Sequence, residues 1–398
     1  MRNWLLPEYI EDVLPAEAAR VEQLRRSLLD LFRVHGYQYV IPPMMEYMES
    51  LTTGIGHDLD LATFKVVDQL TGKLMGIRSD ITPQTARIDA HMLNNQGVTR
   101  LCYAGSVLRT EPDGLARSRE PLHVGAELYG HAGVASDIEI QRLMIKALHA
   151  VGLGTLYIDI SHVGIFDSLI DGVGIGELQE QELYAALQSK DQAAVRQLGQ
   201  TLSPDLLDVL CALVELNGGV EILDTAAIRL PKTDKIQKAL DDLKKIATGL
   251  ADLDVKVCFD LAELRGYHYH SGIVFAVYAE GYSGPLARGG RYDEVGAIFG
   301  RARPATGFSL DLRGVVASLP AAGKTSAILA PAVFTDASLT VAIERLRSQG
   351  AVVIQDLPGQ EDYRAELGCD RILTKQDGEW VVVTAPELSN LSIGSIHE

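Results

Sequence analysis

Arginine, tyrosine and histidine crowd one short stretch of the chain, Arg265-Gly266-Tyr267-His268-Tyr269-His270-Ser271-Gly272. A guanidinium, phenols and imidazoles this close together suit recognition of a small, polar, partly anionic ligand. The alternation predicts a strand over 265–277, with Tyr267 and Tyr269 on one face and His268 and His270 on the other. A second polar stretch, 286–292, carries Arg288, Gly289, Gly290, Arg291 and Tyr292 and predicts a neighbouring strand. Side by side, the two would make a pocket floor whose glycines admit close approach. The plainer alternative is a pair of polar-faced strands with aromatic cross-strand contacts. His268 and His270 could chelate zinc, but Cys258, Asp260 and Glu263 match no zinc spacing, so no metal is expected.

Two further groups carry chemistry. Between Arg78 and Arg87 runs Ser-Asp-Ile-Thr-Pro-Gln-Thr-Ala, a helix start in which Asp80 and Thr82 are either caps or ligand acceptors, with Pro83 in the first turn. Downstream, a strand over 100–109, a loop with Arg117 and Arg119, and a return strand over 121–130 form a hairpin. The return strand presents His123, Gly125, Glu127 and Tyr129 on one face. Arg109, Arg117 and Arg119 around one hairpin suit an anion clamp, against the alternative of a solvated turn.

The elements that must position these groups follow from periodicity. A helix is expected over 16–35, ended by Gly36, then a strand over 37–41, a helix over 44–51, and strands over 64–68 and 76–79. A helix over 136–151 opens with Asp137 and Glu139, which suits the helix dipole. A strand over 155–161 precedes a helical insertion, about 166–250, with helices near 176–188, 191–199, 204–215 and 233–250. Strands return over 255–261, 265–277 and 288–291. A helix over 307–318 closes a first domain, 1–318. The remainder, 319–398, reads as a small α/β domain with strands near 326–329, 352–355, 372–373 and 381–383 and a helix over 338–349.

Composition sets the bounds. The chain has 398 residues, 47% apolar, with a formal net charge of -17 and a pI near 5.0. Such acidity argues against broad nucleic-acid binding. Cys102, Cys211, Cys258 and Cys369 form no CxxC pair, and neither a signal peptide nor a membrane span is expected from the apolar patterning. A cytoplasmic protein is expected, with no membrane association.

The order of these signals resembles the catalytic domain of class II histidyl-tRNA synthetases. Gly36-Tyr37 with Pro43 resembles the family's dimer-forming motif 1, and Arg109, the basic loop and Glu127 resemble motif 2. Arg265-Gly266-Tyr267-His268-Tyr269-His270 resembles the first histidine-specific motif, and Gly289-Gly290-Arg291-Tyr292-Asp293 matches the second. The resemblance implies an α+β fold, an antiparallel sheet flanked by helices with a helical insertion and a small C-terminal α/β domain. It implies a histidine pocket in which Asp80 and Thr82 take the ammonium, Arg109 and Arg265 the carboxylate, and Glu127 an imidazole nitrogen beside Tyr269. His123 stands where the synthetase has glutamine, His270 where it has tyrosine, and Asp80 where it has glutamate.

Motif 3 departs further. The synthetase ends it Gly-Leu-Glu-Arg, whose arginine binds ATP phosphate; this chain reads Asp311-Leu312-Arg313-Gly314. A pocket that keeps amino-acid ligands but loses a phosphate arginine resembles the regulatory subunits of ATP phosphoribosyltransferase. That resemblance implies a non-catalytic subunit without cofactor. Its partner would be a short-form ATP phosphoribosyltransferase, in a hetero-octamer that performs the first step of histidine biosynthesis under feedback inhibition by histidine. It implies a homodimer through the synthetase-like domain and no tRNA partner. The alternative is an active histidyl-tRNA synthetase.

Overall fold

The computed structural model describes residues 5–52, 61–112, 118–264, 266, 269–282, 284–320 and 326–384. Two compact units divide the chain, Met1–Pro320 and Ala321–Glu398.

The first unit is built on a nine-stranded sheet. In chain order its strands are Gln38–Tyr39 (β1), Thr99–Ser106 (β5), Leu122–Tyr129 (β6), Leu156–His162 (β7), Asn217–Gly218 (β8), Val255–Asp260 (β9), Ile273–Ala279 (β10), Ala287–Arg291 (β11) and Ala305–Asp311 (β12). A small second sheet holds Met45–Tyr47 (β2), Phe64–Val67 (β3) and Leu74–Ile77 (β4). The large sheet runs β1-β5-β6-β12-β11-β10-β7-β9-β8. β1 with β5 and β7 with β9 are parallel; the other ladders are antiparallel. This is the synthetase-like antiparallel sheet flanked by helices that the resemblance implies.

Alternation along the central strands divides the faces. Cys102, Val124, Ala126, Leu128, Phe308 and Leu310 point to one side and are buried with Leu28 and Phe32 of the Pro15–Val34 helix and Ile140, Met144 and Ala147 of the Val134–Ala150 helix. The Phe32 and Phe308 rings meet edge to face at 5.9 Å. The other face carries Tyr103, His123, Gly125, Glu127, Gly307, Ser309 and Arg288, as the registers Tyr103↔Gly125, Glu127↔Gly307 and Arg288↔Ser309 require. Apolar packing on one side thus frees the other for polar chemistry.

The helical insertion carries Glu177–Gln188, Gln192–Leu198, Pro204–Glu215 and Asp234–Leu250, close to expectation. Asp191, Ser203 and Thr233 each accept a hydrogen bond from a first-turn amide. A helix at Ile222–Arg229, whose pattern is short and interrupted, was not expected.

Three elements depart from the sequence expectation. The strand expected over 265–277 begins only at Ile273; before it the amides of Tyr269 and His270 both donate to Gly266 O, at 2.8 and 2.9 Å, around a left-handed Gly266 (φ 69°). Tyr269 and His270 therefore sit on a turn and not on opposite strand faces; Arg265, Tyr267 and His268 lie outside the described residues. The helix expected over 307–318 is a strand to Asp311 and a helix only over Leu312–Ser318, because 305–311 is paired on both sides by β6 and β11. The helix expected over 44–51 opens instead as β2, captured by pairing with β4, and is helical from Met48 to Thr52. In the last two cases tertiary pairing overrode local pattern.

In the second unit Ala327–Ala330 (β13), Val352–Gln355 (β14), Arg371–Gln376 (β15) and Glu379–Thr384 (β16) form a sheet ordered β14-β13-β15-β16. The Ala337–Ser348 helix, capped by Asp336, lays Leu339, Ala342 and Ile343 on it. Arg364 and Asp356 form a buried ion pair, with Nε 2.7 Å from the carboxylate.

Candidate functional site

The site lies on the face of the large sheet opposite the Pro15–Val34 and Val134–Ala150 helices, against the Thr82–Arg87 helix, and a single carboxylate organises it. Glu127 projects from β6 and is 1% exposed. Thr82 Oγ1 donates to its Oε1 at 2.8 Å and Tyr103 OH donates to the same oxygen at 3.2 Å. Tyr292 OH donates to Oε2. All three partners are neutral hydroxyls. Burial pushes the Glu127 carboxyl up to about 8, against the pull of those hydroxyls, and Asp80 adds to the rise.

Space for this carboxylate comes from across the ladder. Gly307 faces Glu127 in the register, and a Cβ there would overlap Glu127 Oε2. Gly307→Ala is therefore expected to destabilise the fold by about 1–3 kcal/mol and to displace Glu127; thermal unfolding and a ligand titration would read both. At Gly290 a Cβ would strike the His270 ring, so this glycine lets His270 lie against β11.

Asp80 sits beside the start of the Thr82–Arg87 helix. Its Oδ1 accepts from the amides of Ile81 at 2.6 Å and Thr82 at 3.3 Å, and lies 3.7 Å from His123 Nδ1. Burial works to raise this carboxyl, but His123, Arg109 and the Thr82 amide together hold it below its ordinary value. Thr82 is not a cap, since its hydroxyl is turned to Glu127. His123 is 6% exposed, and its Nδ1 is buried without a hydrogen bond among the described residues.

Aromatic rings close the pocket. Tyr269 stacks on Tyr292 with centroids 5.3 Å apart, and His270 meets Tyr269 edge-on at 5.2 Å. The Tyr269 hydroxyl is buried and has no hydrogen-bond partner among the described residues. Burial holds Tyr103, Tyr269 and Tyr292 protonated, with Glu127 reinforcing the effect.

Beside His123 lies an open cleft lined by Arg109, His123, Arg288, Ser309 and Asp311, among others. Arg119 turns away, its guanidinium 5.0 Å over the Phe64 ring, and Arg117 lies outside the described residues. Asp311 accepts from the amides of Leu122 and Arg313, at 3.2 and 3.1 Å. The Arg313 guanidinium points elsewhere, donating to Glu120 O at 3.1 Å and lying 3.6 Å from Glu11.

Seven of the eight candidate residues, Asp80, Thr82, Arg109, His123, Glu127, Tyr269 and His270, thus come together; Arg265 lies outside the described residues. Sequence reasoning missed Tyr103. Its signal was present, since on β5 it falls on the face that looks across to Gly125, whose missing side chain makes room for the ring. Tyr292 stood only as part of a motif, and in the structure Arg291 and Tyr292 point opposite ways. Arg291 grips Asp137 of the Val134–Ala150 helix at 2.8 Å while Tyr292 enters the pocket.

Residues 9–315 match the family model for histidyl-tRNA synthetase, and residues 325–383 match that for the ATP phosphoribosyltransferase subunit HisZ C-terminal domain. The chain is 82% identical to the ATP phosphoribosyltransferase regulatory subunit of Methylobacillus flagellatus over 98% of this chain and 100% of that one. It is 54% identical to the regulatory subunit of Cupriavidus pinatubonensis, over 96% and 98%. Among solved structures, an ATP phosphoribosyltransferase regulatory subunit/histidyl-tRNA synthetase from Bacillus halodurans superposes with a TM-score of 0.80 at 28% identity, covering 92% of this chain and 96% of that one.

Proposed function

The chain belongs to the ATP phosphoribosyltransferase regulatory subunits, and from that premise we propose that it is the histidine-sensing, non-catalytic member of a cytoplasmic complex with a short-form catalytic subunit. In this reading the complex performs the first step of histidine biosynthesis, and histidine bound to this chain inhibits it.

The observation that carries the reading is Glu127, a buried acceptor at the end of an aromatic-walled pocket whose partners are all neutral hydroxyls. An imidazole can take the Glu127 proton or donate its own N–H to the freed carboxylate, and the Tyr269 hydroxyl stands ready as a second contact. Asp80 and Thr82 take the ammonium, Arg109 and Arg265 the carboxylate, and His123 and His270 complete the wall. Gly314 stands where the synthetase has its phosphate arginine, and Arg313 is engaged with Glu120 and Glu11. Adenylation, which needs that positive charge on the triphosphate, is therefore absent from the proposal. A homodimer is supported by the exposed apolar side chains of Tyr39, Ile41, Met44, Met45 and Tyr47 around the motif 1 stretch.

The test joins three measurements. The chain should co-purify with a short-form phosphoribosyltransferase and bind histidine by calorimetry, and histidine should lower the activity of the pair. By linkage, the partner's substrates should change histidine affinity. Absence of histidine binding with the partner present would overturn the reading. Pyrophosphate exchange with ATP and histidine at synthetase rates would restore the active enzyme.

A further inference from the structure

The turn that brings Tyr269 and His270 to the pocket hangs on a short segment, 260–264, and the helical insertion grips that segment. β9 ends at Asp260, and the insertion meets it there as β8, Asn217 pairing with Asp260 and Gly218 with Phe259. The Leu261 amide then donates to Leu216 O at 3.0 Å. The chain turns tightly, the Ala262 amide donating to Asp260 Oδ1 at 3.2 Å and the Glu263 amide to Asp260 O at 3.0 Å. Leu261, Ala262 and Leu264 are buried in one cluster with Leu183, Leu187 and Leu216 of the insertion. Two polar contacts fix the ends. Tyr184 of the Glu177–Gln188 helix donates its hydroxyl to Leu264 O at 2.6 Å, two residues ahead of Gly266. Lys190, just past that helix, places Nζ 2.7 Å from Asp260 Oδ2. Lys190 sits at φ 57°, in the left-handed region that favours glycine, and its amide closes the helix on Leu187 O at 2.9 Å. Glycine would end the helix equally well; the side chain it lacks is the one that reaches Asp260.

We propose that Tyr184 and Lys190 are positioning residues for the ligand pocket, clamping 260–264 so that the following turn presents Tyr269 to Tyr292 and His270 to β11. Between Asp260 and Ile273 no strand ladder holds the chain among the described residues, so these side-chain contacts set where the turn lies. The helical insertion contributes no candidate ligand residue, yet through this clamp it belongs to the ligand-sensing unit. A tilt of the Glu177–Gln188 helix moves the Leu264 carbonyl, and the turn moves with it. The clamp stands on these contacts alone; its effect on ligand affinity rests on the histidine reading above.

Two variants of the full chain test it, with thermal unfolding confirming that each is folded. Tyr184→Phe removes one hydroxyl and keeps the ring. Lys190→Gly removes the ion pair and suits the left-handed backbone, so a lysine that served only the helix end predicts a folded variant with an unaltered turn. Hydrogen exchange reads the amides of Tyr269 and His270, which donate to Gly266 O, and calorimetry reads histidine. In both variants these amides should exchange about tenfold faster, with histidine bound about tenfold more weakly. Lys190→Arg, which keeps the charge, should restore part of both. Lys235→Met, which breaks the exposed Lys235–Asp171 pair elsewhere on the insertion, should change neither. Wild-type exchange at Tyr269 and His270 in folded Tyr184→Phe and Lys190→Gly would overturn the proposal. So would unchanged histidine affinity in a variant whose turn exchanges faster. If the wild type fails to bind histidine while the turn loosens in both variants, the histidine reading fails and the clamp stands.

Discussion

Glu127→Gln is expected to raise the stability of the unliganded chain above neutral pH while abolishing histidine binding. The folded protein keeps the Glu127 proton up to about pH 8, against a reference value of 4.5. Between those values the folded state holds more protons than the unfolded chain. The stability tied to this group is therefore full below about pH 4.5 and is lost as pH rises through 8. A shift this large corresponds to something on the order of a few kcal/mol across the window. Glutamine keeps the shape and does not titrate, so the melting temperatures of the two proteins should diverge as pH is raised from 5 to 9. Histidine should raise the wild-type melting temperature and leave the variant's unmoved. Parallel pH profiles for the two proteins would show that Glu127 ionises in the folded state like an exposed carboxylate.

The second large effect is expected at Arg291. The residue is 7% exposed, and its guanidinium reaches Asp137 Oδ2, Asp293 Oδ1, Ser136 Oγ and the carbonyls of His131 and Gly133. It fastens β11 to the start of the Val134–Ala150 helix. Burial already pushes the Asp137 carboxyl up despite this partner. Arg291→Ala would leave that carboxyl and the carbonyls unsatisfied, at a cost of about 3–5 kcal/mol. Chemical denaturation should show it as a lowered midpoint with an unchanged slope. The loss should also be smaller in an Arg291→Ala, Asp137→Ala double variant than the sum of the single losses. Equal additive losses would mean the pair is not coupled.

The sequence made the site more legible than the elements that carry it. Asp80 and Thr82 stood out at a helix start and His123 and Glu127 on one strand face, and the resemblance to the synthetase assigned them to one pocket. The strand β12 was misread as a helix, since Gly307-Phe308-Ser309-Leu310 fits either period and only pairing with β6 and β11 decides it. The turn before Ile273 was misread as strand because alternation of polar and aromatic residues also occurs in a turn held by Gly266. Glu139, read as a dipole partner, also receives Arg100 at 2.7 Å and the Tyr37 hydroxyl at 3.0 Å. Such long-range partners leave no trace in local spacing. Neither does the role of Tyr184, whose carbonyl partner lies 80 residues further along the chain.

The position of β12 governs how the nascent chain matures. It is the last strand of the first unit to leave the ribosome, yet it fills the gap between β6 and β11. Until it arrives, the early half of the sheet and the late half have no ladder joining them, Phe32 has no ring to meet, and Glu127 stays wet. Synthesis must therefore run well past Asp311 before the wall around Glu127 is complete, and a chain truncated ahead of β12 lacks it. Such distant pairing also favours slow closure, which leaves a time in the cell when the subunit is made but its sheet is not yet joined.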